Sequence, residues 1–177
     1  MYIRETTDGD LEDILVVERE AFKSNIEANL VRDLLADPSA IPIFSLIAFV
    51  NKQVVGHILF TTAHLLSVAR VKVSLLAPLA VAPKFQKQGI SGTLIKKGLE
   101  LLSKSNIDLV FVLGHPLYYP RYGFMPAGKL GFETTYQIPE RDAAAWMVLA
   151  LRPDVIGKVS GRVVCCDALN KPEYWRE

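Results

Sequence analysis

The pattern of apolar and polar positions changes period several times along the chain, and each change marks an element. "YIRETT" at the start reads as a short strand. Asp8 or Asp10 is then placed to cap a helix running to about Phe22, with Leu11, Ile14, Leu15 and Glu18 at helical spacing. A second helix, about Ile26 to Ala36, carries Leu30, Leu34 and Leu35 on one face and ends at "DPSAIP". Three β-favouring runs follow: "IFSLIAFV" (43–50), "QVVGHILFTTAHLL" (53–66) and "ARVKVSLLAPLAV" (69–81). The short polar gaps between them, Asn51-Lys52 first, predict an antiparallel meander. Pro78 has no N–H to give to a ladder, so a bulge or splayed edge is expected late in the third run.

Residues 89 to about 105 carry the clearest helical pattern, with Ile90, Leu94, Leu101 and Leu102 apolar and Lys96, Lys97, Glu100 and Lys104 polar. "IDLVFVLG" (107–114) reads as a buried strand entered from that helix. A strand, a crossover helix and a strand make a parallel pair. Beyond about Gly131 the pattern weakens; "AAAWMVLAL" and "GRVVCC" are strand candidates, with Trp146 and Met147 as core. No repeat or linker interrupts the chain, so residues 1–177 are expected to form one α/β domain with a mixed sheet, 131–177 being its C-terminal extension.

Composition narrows the function classes. Half of the 177 residues are hydrophobic and 22% are charged, as in a globular domain with a sizeable core. A net charge of +1 argues against a general nucleic-acid binder, so any basic patch is local. The longest apolar stretch, "IPIFSLIAFV", is well short of the ~20 residues of a membrane helix. The opening "MYIRETTDGD" is polar where a secretory signal would be apolar, so no membrane partner is expected. Cys165 and Cys166 are adjacent and have no other cysteine to pair with, which points to a reducing, cytoplasmic setting. The 3 histidines and 2 cysteines show no metal-ligand spacing, so no metal is expected.

The candidate chemistry begins at "LAVAPKFQKQGISG" (79–92), where an apolar strand gives way to a polar turn and then a helix. A helix N-terminus leaves about four N–H groups unpaired and carries roughly half a positive charge. A glycine-bearing turn lets the backbone approach a bulky anion. Lys87 to Gly92 is thus suited to a phosphate or pyrophosphate, with Lys84, Lys87, Lys96 and Lys97 adding local charge; the alternative is an ordinary helix cap with surface lysines. The nucleotide-binding G-x-x-x-x-G-K-[ST] is absent, and "GISG" lacks the third glycine of a dinucleotide fingerprint.

Gln86-Lys87-Gln88-Gly89-Ile90-Ser91 resembles the (Arg/Gln)-x-x-Gly-x-(Gly/Ala) loop of the GNAT N-acetyltransferases, with Ser91 where glycine or alanine is usual. "LGHPLYYPRYGFMPAG" (113–128) resembles a later segment of the same family, in which Tyr119 falls on the tyrosine of Y-x-x-x-G-F and Gly123-Phe124 on its turn. The chain is most similar to small bacterial members with "LG-x-P-x-YY-x-R-(F/Y)-GF" after the fifth strand. The resemblance implies the GNAT fold: a mixed, mostly antiparallel sheet splayed between strands 4 and 5 and flanked by helices. It implies acetyl-CoA as cosubstrate, an amine as acceptor and a homodimer as a common assembly. Leu79, Ala80 and Val81 would meet pantetheine, while Gln86, Lys87, Gln88, Gly89, Ile90, Ser91 and Gly92 would meet the pyrophosphate. Tyr119 would protonate the departing thiolate, with Tyr118 and Tyr122 as neighbouring competitors.

Many relatives carry a carboxylate base on the fourth strand, but "KVSLLAPLAV" has none. That absence motivates a second reading, a non-catalytic acyl-CoA-binding or regulatory domain. His57, His64 and His115 are the histidine candidates for a base. His57 and His64 lie seven apart on one predicted strand and should face opposite sides, so at most one meets the cleft. His115 also reads as a loop residue with local bonds, and Arg121 as a surface group or a contact for an acidic substrate. Glu27 and Asn29, near the first helical junction, fall where the family builds one wall of the acceptor cleft.

Overall fold

The computed structural model describes residues 1–176. β1 (Tyr2–Glu5) leads into two helices, α1 (Leu11–Phe22) and α2 (Ile26–Leu35). The meander follows as β2 (Phe44–Val50), β3 (Gln53–Leu65) and β4 (Val73–Val81). α3 (Ile90–Lys104) crosses to β5 (Leu109–Leu113). Two short strands, β6 (Met125–Pro126) and β7 (Phe132–Glu133), precede β8 (Trp146–Ala150) and β9 (Gly161–Cys165). Both strand candidates in the C-terminal part are therefore strands, and Trp146 and Met147 are buried.

The sheet order is β1-β2-β3-β4-β5-β8-β6, with β9 on the far half of β3. Its one parallel neighbour pair along that path is β4–β5, joined by α3. The sheet is mixed and mostly antiparallel, flanked by helices on both faces. On one face α1 and α2 bury Ile14, Leu15, Val31 and Leu34 against Ile47, Leu59, Val73 and Phe111. On the other, α3 buries Leu94, Ile95 and Leu102 against Ile58, Phe60 and Val110. Side chains alternate along a strand, so Leu59, Ala63 and Leu65 of β3 feed one core and Ile58 and Phe60 the other.

Pro78 does what its chemistry demands. β3 pairs Phe60 with Leu76 and Ile58 with Leu79, so β4 takes one more residue than β3 over that span. This is a bulge at Ala77-Pro78. Pairing of β4 with β5 runs from Val73↔Leu109 to Leu76↔Val112 and goes no further. The two parallel strands part at the bulge, and the sheet is open between them beyond it.

Two boundaries differ from the periodicity. The first helix is entered through a single 3-10 turn, Asp8–Asp10, capped from Thr7. The Asp10 carboxylate accepts the Thr7 N–H at 2.7 Å and is gripped by both Arg4 guanidinium nitrogens at 2.7 and 2.9 Å. The third run becomes a strand only at Val73, after a turn with Ser67 at φ 66°. Asp108 accepts the Lys72 N–H at 2.8 Å there, tying the start of β4 to the start of β5.

Candidate active site

The opening between β4 and β5 is the centre of a cleft of about 1180 Å³ that passes from one face of the sheet to the other. Its middle is lined by Leu76–Leu79 and Val81 on one side and by Val112–His115 on the other. The Ala82 N–H donates to the Val55 carbonyl of β3 at 2.8 Å. Main-chain groups alternate in direction along a strand, so those of Leu79 and Val81 point away from β3, into the opening. The Val81 carbonyl is met from that side by the Gln86 side-chain amide, at 3.0 Å.

At the α3 end, the loop folds so that its main chain faces the cleft. Lys87 has φ 61° and Gly89 φ 84°, both left-handed, and a glycine takes the second without a steric penalty. The Thr93 N–H and hydroxyl both bond the Gly89 carbonyl, closing the first turn of α3. The N–H groups of Ile90, Ser91 and Gly92 have no acceptor within the helix. Lys87, Gly89, Ile90, Ser91 and Gly92 all line the cleft, as does Gln86. Of the positions assigned to cofactor binding, Ala80 and Gln88 do not. Ala80 is buried and its main chain faces β3, while the Gln88 amide folds back on the Lys84 carbonyl at 3.3 Å.

Ser91, the departure from the loop pattern, has a partner. Its hydroxyl hydrogen-bonds the hydroxyl of Tyr118. Tyr118 and Tyr122 hydroxyls are 3.4 Å apart. A side chain on Gly92 would place its Cβ 2.4 Å from the Tyr122 hydroxyl, so glycine is required for this approach. The loop and the tyrosine segment are therefore one packed unit, joined at the first turn of α3.

Tyr119 starts a 3-10 turn (Tyr119–Tyr122) that ends at Gly123 with φ 98°. Its ring packs edge-on to Phe124 and Tyr118, and so closely on the end of β5 that a Cβ at Gly114 would lie 2.4 Å from it. The residue is only 9% exposed yet lines the cleft, and among the described residues its hydroxyl makes no hydrogen bond. The three tyrosines thus separate: two hydroxyls are engaged with each other and with Ser91, and one is available. Burial raises the Tyr119 pKa well above the ordinary tyrosine value. Burial also pushes Tyr118 up to about 12, against the lowering effect of its bond to Ser91. Both phenols are protonated at neutral pH.

The other candidates fall into place around this centre. His115 lines the cleft, and its Nδ1 accepts the Leu117 N–H at 3.2 Å. Arg121 also lines it, with its guanidinium 5.5 Å from the Tyr118 ring centre. His64 is exposed where β3 pairs with β9 and is not on the wall. His57 faces the opposite way, as their spacing predicts, but it is fully buried and does not reach the cleft. Its Nδ1 is 2.8 Å from Glu18 Oε1 and its Nε2 2.8 Å from the Ser45 hydroxyl. Burial raises the Glu18 pKa, opposed by the His57 bond. Asn29 is exposed and off the wall, whereas Glu27 is on it.

The far end of the cleft is formed by α1 and α2, through Phe22, Ile26, Glu27 and Leu30, and by Leu169, Glu173 and Tyr174 of the C-terminal part. Periodicity does not find these last three. They lie in short 3-10 turns (Asp167–Leu169 and Pro172–Trp175), whose sequence carries no repeat and no motif.

Residues 2–127 match the family described as an acetyltransferase (GNAT) domain. The chain belongs to the GNAT acetyltransferase family. It is 43% identical over 164 residues to the uncharacterized N-acetyltransferase YjhQ of Escherichia coli strain K12, covering 92% of this chain and 90% of that protein. The crystal structure of the GNAT family N-acetyltransferase YhbS from Escherichia coli, a complex with CoA, superposes with a TM-score of 0.87 at 29% identity, over 96% of this chain and 92% of that one. A GNAT family acetyltransferase from Brucella melitensis, solved with acetyl-CoA, gives a TM-score of 0.76 at 28% identity, over 95% and 97% of the two chains. The GNAT fold, with β4 and β5 parting at the bulge, is therefore the architecture of this chain.

Proposed function

We propose that this GNAT domain transfers the acetyl group of acetyl-CoA to a primary amine of a small molecule or protein, and that residues 1–177 act as one unit, with 131–177 walling the acceptor side. The reading is carried by one convergence. Free main-chain donors at the start of α3, the main-chain groups of Leu79 and the N–H of Val81 that point away from β3, and the available hydroxyl of Tyr119 all line the same cleft. Relatives of similar length and fold were solved with CoA and acetyl-CoA, which supports the same cosubstrate here.

In this reading the pyrophosphate sits on the N–H groups of Ile90, Ser91 and Gly92, with Lys87 adding positive charge. Pantetheine amides extend the sheet along Leu79 and Val81, as a peptide does on an open strand edge. The amine nitrogen attacks the thioester carbon; the C–N bond forms and the C–S bond breaks. The free N–H near Val81 stabilises the oxyanion that develops between these events. The attacking nitrogen, neutral as it attacks, releases its extra proton to solvent, sulfur takes the proton of the Tyr119 hydroxyl, and solvent restores the phenol. Holding the two reactants in one cleft supplies much of the acceleration.

Calorimetry with acetyl-CoA and a thiol-release assay over amines, antibiotics and peptides test this. Saturable binding with amine-dependent release of CoA is expected. Binding without turnover on any acceptor would favour the non-catalytic acyl-CoA-binding reading, which the missing β4 carboxylate motivates. Absence of binding would overturn both.

A further inference from the structure

The carboxylate absent from β4 has a counterpart on the opposite face of the sheet. Glu27 stands in the first turn of α2, where the helix dipole favours a negative charge, and lines the cleft. Its Oε2 is sealed from solvent and has no hydrogen-bond partner among the described residues. On the neighbouring helix α1, Glu18 is fully buried, with Oε1 on His57 and Oε2 also without a partner among the described residues. Glu27 is near enough to add to the rise in the Glu18 pKa that burial begins. Glu27 is partly buried and Glu18 fully so, and an open carboxylate oxygen on each is costly unless a proton or a cation completes it. The surroundings are apolar: Phe22 and Ile26, 39% and 61% exposed, and Leu30 beneath them.

We propose that Glu27 binds the acceptor's ammonium group and takes its proton, and that the acceptor is a primary amine on an apolar scaffold, as in an aralkylamine or alkylamine. The proposal rests on the acetyltransferase reading. The ammonium gives one proton to Glu27, which passes it to water. The neutral nitrogen then attacks the thioester. The second proton that nitrogen loses balances the one Tyr119 gives to sulfur and recovers from solvent. Glu18 does not reach the cleft; it is a positioning residue that keeps the wall behind Glu27 polar and fixed through His57 and Ser45.

The test uses the full chain, acetyl-CoA and four acceptors: 2-phenylethylamine, hexylamine, spermidine and glutamate. Acetylation of the first two is expected with kcat/KM about 100-fold above glutamate, and with spermidine poorer for want of apolar contact. Glu27→Gln should lower kcat/KM for 2-phenylethylamine about 100-fold or more, while acetyl-CoA affinity stays within about 2-fold. 2-Phenylethanol, which has the scaffold without the charge, should inhibit at least about 10-fold more weakly than the amine binds. This last arm uses the wild-type chain and holds even if the variant fails to fold. Preference for glutamate, equal binding of the alcohol, or a folded Glu27→Gln within about 3-fold of wild type would each overturn the proposal. If acetyl-CoA binds and is turned over only with other amines, the inference falls and the acetyltransferase reading stands. If acetyl-CoA does not bind, the reading itself falls and takes the inference with it.

Discussion

At the α3 end of the cleft the groups on offer are main-chain N–H donors and Lys87, whereas at the α1–α2 end they are the Glu27 carboxylate and the apolar side chains of Phe22 and Ile26. The first end suits an anion and the second a cation with an apolar body. They lie on opposite faces of the sheet and communicate where β4 and β5 part. A bulge of one residue therefore does more than end a ladder. It opens the passage through which a group held on one face can react with a group held on the other. The difference also separates what backbone does from what side chains do. In the proposed reading a phosphate meets groups every residue has, so that end can accept Ser91, while an amine meets side chains, so that end would set the specificity.

If the middle of the cleft is the reaction centre, Tyr119→Phe should lower kcat about 100-fold or more and leave acetyl-CoA affinity within about 2-fold, by steady-state kinetics and calorimetry. The same substitution at Tyr118 should cost far less. An equal loss at both would mean that the available hydroxyl is not the distinguishing feature. Because burial raises the Tyr119 pKa, its proton is retained through neutral pH and beyond the ordinary tyrosine value of ~10. Activity should not fall on the alkaline side until above that value.

Gly114→Ala is the next strongest probe, because it moves the phenol without removing it. Its Cβ would lie 2.4 Å from the Tyr119 ring, so the ring must shift. A fall in kcat of about 10-fold is expected, with Tm lowered by overpacking of about 1–3 kcal/mol. Unchanged kcat would show that the position of Tyr119 is not critical.

Ser91→Ala addresses the anion end. It removes the hydroxyl that bonds Tyr118 and leaves the main-chain donors in place. A stability loss of about 1 kcal/mol and an acetyl-CoA affinity within about 3-fold of wild type are expected. A much larger loss of affinity would make the hydroxyl itself a phosphate donor.

Asp10→Asn should touch neither end. Arg4 holds the Asp10 carboxyl below its ordinary range, so its contribution to stability is complete above the unfolded value of ~4 and is lost as pH falls through the folded one. The variant should melt earlier than wild type at pH 7, by at most about 1 kcal/mol for the lost ion pair with Arg4, and the two should converge in acid. Kinetic constants should be unchanged at a temperature where both are folded.

Much of this was legible before any coordinates. α1, α2, α3 and the five principal strands follow from periodicity and turn residues, because each such signal lies within a dozen positions. The turn at the α3 end was legible for the same reason: strand, proline, glycine turn and helix start are consecutive in 79–92. His57 shows the limit. Its type suggested a base, and strand alternation set it opposite His64 correctly, yet only the packing of α1 put Glu18 against it, 39 positions away. The tie between Ser91 and Tyr118 spans 27 positions and was equally invisible.

The sequence by itself determined the order of elements, the break in β4 at Pro78 and the glycine turn that leaves free N–H groups at the start of α3, since these depend on backbone geometry that a few neighbouring residues impose. The tertiary structure alone decided which tyrosine hydroxyl is available and which histidine is sealed away. It alone brought Glu27 and the C-terminal turns to one end of the cleft. Those are juxtapositions of side chains far apart in the chain, set by how helices pack on two faces of a sheet, and no local pattern encodes them.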